Sequence, residues 1–151
     1  MKQLKELGID EKIVFLGDGP YLEKFRGLAQ ELEIQDNCIF EKSRANVCDY
    51  ITASYINILT SRWEGLPTVI IEAMSLGKPC VMTNNDNGEV SCNGKYCMLV
   101  PVDDVNAVCE SLAELYTNRD IYNKFCSLSL ERAKDFDPAK IKMQFKNLLE
   151  K

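Results

Sequence analysis

Residues 61–79 read SRWEGLPTVIIEAMSLGKP, and the fold is decided by how this stretch is understood. A loop carrying one carboxylate, Glu64, runs through Gly65 and Pro67 into an apolar segment that holds a second carboxylate, Glu72. Proline suits the first position of a helix, because it has no N–H to leave unpaired and its φ is already near the helical value. Pro67 therefore marks the helix start, and Gly77, with Lys78 and Pro79 behind it, marks the end. Val69, Ile70, Ile71, Ala73, Met74 and Leu76 leave no wide polar face, which predicts a helix buried on most sides. A carboxylate there is costly unless something polar meets it, so Glu72 is expected to face a cleft that a polar ligand fills.

Outward from this stretch, short apolar runs alternate with amphipathic segments. Strands are predicted at residues 12–16 (KIVFL), 38–40, 55–60 (YINILT), 80–83 (CVMT) and 97–100 (CMLV). Residues 2–7 read as the end of a helix. Leu22, Phe25, Leu28, Ala29 and Leu32 recur at helical spacing, and Val47, Tyr50 and Ile51 mark a short helix. The polar, Gly- and Asn-rich residues 84–94 read as a loop. The C-terminal third is helical. Asp103 or Asp104 caps a helix with Val105, Val108, Leu112 and Leu115; Ile121, Phe125 and Leu128 form the next; Asp137-Pro138 opens a last one with Ile141, Phe145, Leu148 and Leu149 inward. This order predicts one α/β domain over residues 1–151, a Rossmann-like parallel sheet with flanking helices. In such a sheet the strand-to-helix loops share one edge, where ligands bind: here at Gly17, residues 41–46, 61–67 and 84–89.

At that edge the N–H groups of Leu66, Thr68 and Val69 are placed to hold a phosphate on a helix N-terminus. Glu72 follows about a turn and a half later, roughly 7 to 8 Å along the axis. A ribose attached to the phosphate offers two neighbouring hydroxyls that a carboxylate accepts well, while Glu64 addresses whatever hangs from the other end. The plain alternative is a solvated loop acid and a satisfied helix acid, and the pairing at this spacing favours the site.

The composition removes several classes of function. A net charge of −5 without a basic stripe argues against a polyanion partner. No apolar run is long enough for a membrane span and the N-terminus lacks a signal-peptide core, so a cytoplasmic location is expected, compatible with peripheral attachment of a longer chain to a membrane. Seven cysteines without a C-x-x-C pair read as reduced, structural thiols. With no histidine, Cys/His zinc sites and His-based catalysis are removed, leaving acid–base roles to carboxylates. Gly17-Asp18-Gly19 lacks the third glycine of a dinucleotide fingerprint and reads as a turn. Asp135-Phe136-Asp137 has D-x-D spacing, but Asp137 precedes Pro138 as a helix cap, so no metal site is expected. Trp63, beside Arg62, either stacks on a ligand ring or wedges the loop.

The opening stretch resembles the E-x7-E motif of retaining, nucleotide-sugar-dependent glycosyltransferases of group 1, or family 4, which have the two-domain GT-B fold. Ser61, Glu64, Gly65, Pro67, Glu72, Ala73, Gly77 and Pro79 carry the likeness. Weaker similarity runs from FLGDGP (15–20) through NGEV (87–90) and GKYCMLVPVDD (94–104) to the last helices. The resemblance implies the C-terminal, donor-binding half of an enzyme that moves a sugar from a nucleoside-diphosphate sugar to a hydroxyl acceptor, without a metal or other cofactor. It implies that Glu64 contacts sugar hydroxyls near the reacting carbon and that Glu72 holds the ribose. Backbone over Gly65, Leu66, Pro67, Thr68 and Val69 would meet sugar and diphosphate, with Ser61, Arg62 and Gly17 completing the donor site.

Against the family pattern, the strand and loop that carry a basic Arg/Lys pair would precede Met1, and the N-terminal acceptor domain is missing. The chain is accordingly expected to be truncated at its N-terminus and inactive alone. Lys42 and Cys97 stand where the family often has glycine, Lys42 near the base. Two alternatives stay open: a non-catalytic nucleotide-binding or interaction module on the same scaffold, and a nucleotide-sugar epimerase, which would want other acids and a histidine.

Overall fold

In the computed structural model, which describes residues 1–84 and 88–150, five strands form two parallel ladders. The first lies in the unit Met1–Val47. Helix α1 (Lys2–Glu6) precedes strand β1 (Ile13–Leu16), helix α2 (Leu22–Glu31) crosses over, and strand β2 (Cys38–Glu41) returns parallel, Ile13 beside Cys38 and Leu16 beside Glu41. Leu4, Ile9, Ala29 and Ile34 form the core. Asn37 is the buried polar group among them, and its amide is fully used. Its Nδ2 donates to Asp10 Oδ1 at 2.8 Å and to the Glu11 carbonyl at 3.0 Å, while its Oδ1 accepts from Lys5 Nζ at 3.0 Å. This knits α1, the approach to β1 and the turn before β2 together. The Gly17 amide donates to the Glu41 carbonyl at 3.0 Å, and the Ser43 amide to Asp18 Oδ2 at 2.9 Å, so the loops after β1 and β2 meet at one edge of their ladder.

The second ladder belongs to the unit Cys48–Lys151. After α3 (Val47–Ala53), strand β3 (Asn57–Leu59), helix α4 (Thr68–Ser75), strand β4 (Cys80–Thr83), the helical turn α5 (Gly88–Ser91) and strand β5 (Met98–Val100) follow in order. Three helices close the chain: α6 (Val105–Thr117), α7 (Arg119–Ala133) and α8 (Pro138–Leu149). The strands pair in the order β3-β4-β5, all parallel, so β4 is central and no residue of it exceeds 2% exposure. That explains why CVMT is apolar almost throughout rather than alternating. Val81, Val100 and Leu115 form a core against which Ile56, Val108, Leu112 and Phe125 pack. Tyr55, expected to open a strand, instead stacks on Tyr122 with ring centres 4.0 Å apart.

The caps follow the sequence closely. Asp104 Oδ1 accepts from the Ala107 amide at 2.9 Å, and Asp137 Oδ1 from the Ala139 amide at 2.7 Å with Pro138 first in the helix. Asn118 starts α7 in the same way, accepting from the amides of Asp120 and Ile121. Gly77 closes α4 with φ at 69°, its amide donating to the Met74 carbonyl and that of Lys78 to the Ala73 carbonyl, both at 3.0 Å. A Cβ at Gly77 would lie 3.2 Å from Leu130 of α7, along which α4 packs.

Three expectations are corrected. The helix over residues 68–75 is not buried on most sides: Ile70, Ala73 and Met74 face inward, but Thr68, Val69, Glu72, Ser75 and Leu76 form an open stripe. In α8 the face of Ile141, Phe145, Leu148 and Leu149 is exposed rather than inward. Periodicity identifies an apolar stripe without saying what covers it. Residues 84–94 are not all loop, since α5 lies among them; residues 85–87, with the Asn87 of the NGEV run, are outside the described residues. Among the described residues, no helix is long and apolar enough to cross a membrane.

Candidate functional site

The three strand ends of the second ladder are tied together at one edge. Thr83, buried at the end of β4, donates through its hydroxyl to the Ser61 carbonyl just after β3. The Asn84 amide donates to the Val100 carbonyl at 2.8 Å, and Arg62 Nε meets Asp103 Oδ1 at 3.2 Å beyond β5. Ser61, Arg62, Asn84 and Asp103 therefore share one rim, as expected of a parallel sheet.

On this rim the loop bends sharply before α4. The Thr68 amide donates back to the Leu66 carbonyl at 2.8 Å, while the Ile70 and Ile71 amides donate to the Pro67 carbonyl at 3.0 and 3.3 Å. Pro67 is thus the cap rather than the first helical residue, and the helix starts one position later than its proline suggests. The Thr68 N–H is thereby engaged within the loop. Gly65 and Leu66 are exposed, Glu64 is half-buried, and Glu72 is exposed on the open stripe of α4. One carboxylate thus lies on the loop before α4 and the other on the exposed side of the helix itself. Trp63 is 83% exposed, so it does not wedge the loop.

Arg62 is paired with Asp103, both largely exposed. In the first unit Arg44 is paired with Glu41 at 2.9 Å, and Gly17 continues the β1–β2 ladder with open space where a side chain would begin.

Nucleophilic thiols are ruled out at the sheet centre. Burial pushes the Cys97 thiol up to about 12, and burial with the neighbouring Cys97 pushes Cys80 higher still; all seven cysteines are free. Among the described residues no cluster of His, Cys, Asp or Glu could hold a metal ion. Of the D-x-D pair, Asp137 caps α8 and Asp135 binds Lys140 Nζ at 2.5 Å and Arg132 Nη1 at 2.8 Å. Sequence reasoning missed Arg132. Its guanidinium also donates to the main-chain carbonyls of Glu89 and Val90, 43 and 42 positions away, contacts with no local sequence signal.

The sequence model of the family described as glycosyl transferases group 1 matches residues 1–129. The chain belongs to this family. An uncharacterized glycosyltransferase of Methanocaldococcus jannaschii is 27% identical to this group 1 chain, over 99% of the chain and 44% of the relative. The N-acetyl-alpha-D-glucosaminyl L-malate synthase of Bacillus anthracis is also 27% identical, over 93% of the chain and 37% of the relative. The chain therefore spans less than half the length of these relatives. Among solved structures, Anabaena Alr3699/HepE in complex with UDP is similar with a TM-score of 0.87 at 20% identity, over 93% of this chain and 41% of that one. TarM gives 0.87 at 17% identity, over 99% and 31%. The fold is the Rossmann-like α/β half of a GT-B glycosyltransferase, with a helical C-terminal third.

Proposed function

We propose that the chain is the donor-binding part of a retaining glycosyltransferase that moves a sugar from a nucleoside diphosphate to a hydroxyl acceptor. The observation that carries this reading is Glu64, on the loop that runs into α4 from the edge where the Thr83–Ser61 and Arg62–Asp103 contacts gather three loops, together with Glu72 on the exposed side of that helix. In this reading Glu72 accepts from the ribose hydroxyls, and the amides of Leu66 and Val69 meet the diphosphate at the positive end of the helix. Glu64, half-buried on the loop, contacts sugar hydroxyls near the reacting carbon, where charge develops as the bond to the diphosphate breaks. Ser61, Arg62, Gly65 and Pro67 shape the loop around them. Retention of configuration rests on the likeness of residues 61–79 to the E-x7-E motif.

Saturation-transfer NMR of the chain against a panel of nucleotide sugars tests the reading. The neighbour solved with UDP and with UDP-glucose makes these the first probes. Saturation of ribose and sugar protons is the expected result, and its absence for every nucleotide sugar overturns the proposal.

A further inference from the structure

The helical turn α5 is short and leads into an unusual backbone. It has four residues and runs into three consecutive positive φ angles, at Cys92 (47°), Asn93 (54°) and Gly94 (87°). Only the last is a glycine, and residues with side chains persist in the left-handed region when their surroundings over-determine them. Within the segment the Gly94 amide donates to Ser91 Oγ and the Tyr96 amide to the Ser91 carbonyl, and from α7 the turn is met by Arg132, whose side chain is 15% exposed. Its Nε donates to the Val90 carbonyl at 3.1 Å and its Nη2 to the Glu89 carbonyl, while Asp135 holds Nη1 at 2.8 Å. The guanidinium also lies against two rings, 4.8 Å from the centre of Phe136 and 5.5 Å from that of Tyr96. A rigid fork of donors matches two adjacent carbonyls, and a cation suits the carbonyl end of a helical turn. Lysine offers the charge without the fork.

We propose that Arg132 is a positioning residue for the donor site, acting through the main chain of Glu89 and Val90. This rests on the reading of the β3–β4–β5 edge as a nucleotide-sugar site. Asn84 is fixed at that edge, and four residues of chain reach roughly 14 Å at most, so α5 starts within a short distance of it. Arg132 binds no substrate in this arrangement; it holds α5, whose first residue follows Asn84 by four positions in the chain.

The test compares wild type, Arg132→Lys and Asp135→Asn, the last loosening the grip on Arg132 from the surface. Amide exchange in the free chain is expected to rise about tenfold at residues 90–94 in Arg132→Lys, and less in Asp135→Asn, in each case beyond any uniform rise that a change in global stability brings to the whole chain. The Kd of the folded chain for UDP-glucose, followed by NMR titration, is expected to rise about tenfold in Arg132→Lys. A purely structural role would lower the melting temperature and leave that Kd unmoved. Unaltered exchange at residues 90–94 overturns the clamp, and altered exchange with an unaltered Kd overturns its role in the site. If Arg132→Lys fails to fold, Asp135→Asn decides on the same two readouts. Failure of wild type itself to bind UDP or UDP-glucose overturns the donor-site reading and this role with it, a result distinct from a defect confined to the variants.

Discussion

Glu72 is exposed on α4, so replacing it tests the proposed ribose contact without opening the core. Glu72→Ala is expected to change stability by less than about 0.5 kcal/mol while weakening nucleotide binding by about 1.5 to 3 kcal/mol, the range for a charge-assisted hydrogen bond. Thermal melting and a UDP titration measure the two quantities, and unchanged affinity would remove the ribose role. Arg62 poses a different question, because its charge is partly spent on Asp103 at 3.2 Å. Asp103→Asn should strengthen UDP binding by about two- to fivefold at low salt and Arg62→Ala should weaken it similarly, both effects fading near 1 M salt. Equal effects at low and high salt would mean that Arg62 does not act by charge. At this scale the placing of Glu64 on a loop and Glu72 on the helix after it was legible from the sequence. Their exposure was not, because an apolar helix declares how many of its residues are greasy and leaves open which side its neighbours cover.

Strands and caps carried strong local signals. Residues 80–83 were delimited by Pro79 before an apolar run and Asn84 after it, and Asp104 and Asp137 stood where short acceptors precede helical periodicity. The α7–α8 corner was less legible, since Asp135 lies between Arg132 and Lys140 and only the fold aims all three at one point. Hydrogen bonds from Lys140 and then Arg132 hold the Asp135 carboxyl below its usual value of 3.8. A carboxyl with a depressed folded pKa contributes stability above its unfolded value and loses it as pH falls through the folded one. The stability difference between wild type and Asp135→Asn should therefore be constant above about pH 5 and vanish in stronger acid, as read from urea midpoints across that range. A difference that grows in acid contradicts the assignment. In α8, Leu149 is 84% exposed, so Leu149→Gln should shift stability by less than about 0.5 kcal/mol, where an inward leucine would cost several times that. A large loss of melting temperature would mean that the helix packs on its apolar side.

As a whole, the chain spans 44% and 37% of two relatives in its family. A departing diphosphate needs positive charge, and the N-terminus of one helix supplies about half a charge. With Arg62 engaged by Asp103, the isolated chain is expected to bind nucleotide weakly and to transfer no sugar, checked by transfer and donor-hydrolysis assays across common nucleotide sugars. Robust turnover would point first to Arg62 as the diphosphate ligand. The alternation of strands and helices was legible along the chain, but strand pairing was not: the same five apolar runs leave open which strands are neighbours, and that is decided by contacts far apart in sequence. The bare face of α8 also governs how the chain is purified. Phe145, Leu148 and Leu149 form a greasy stripe that sulfate drives out of water, so ammonium sulfate should retain this acidic chain on a phenyl matrix, and low-sulfate buffer should keep concentrated stocks from salting out.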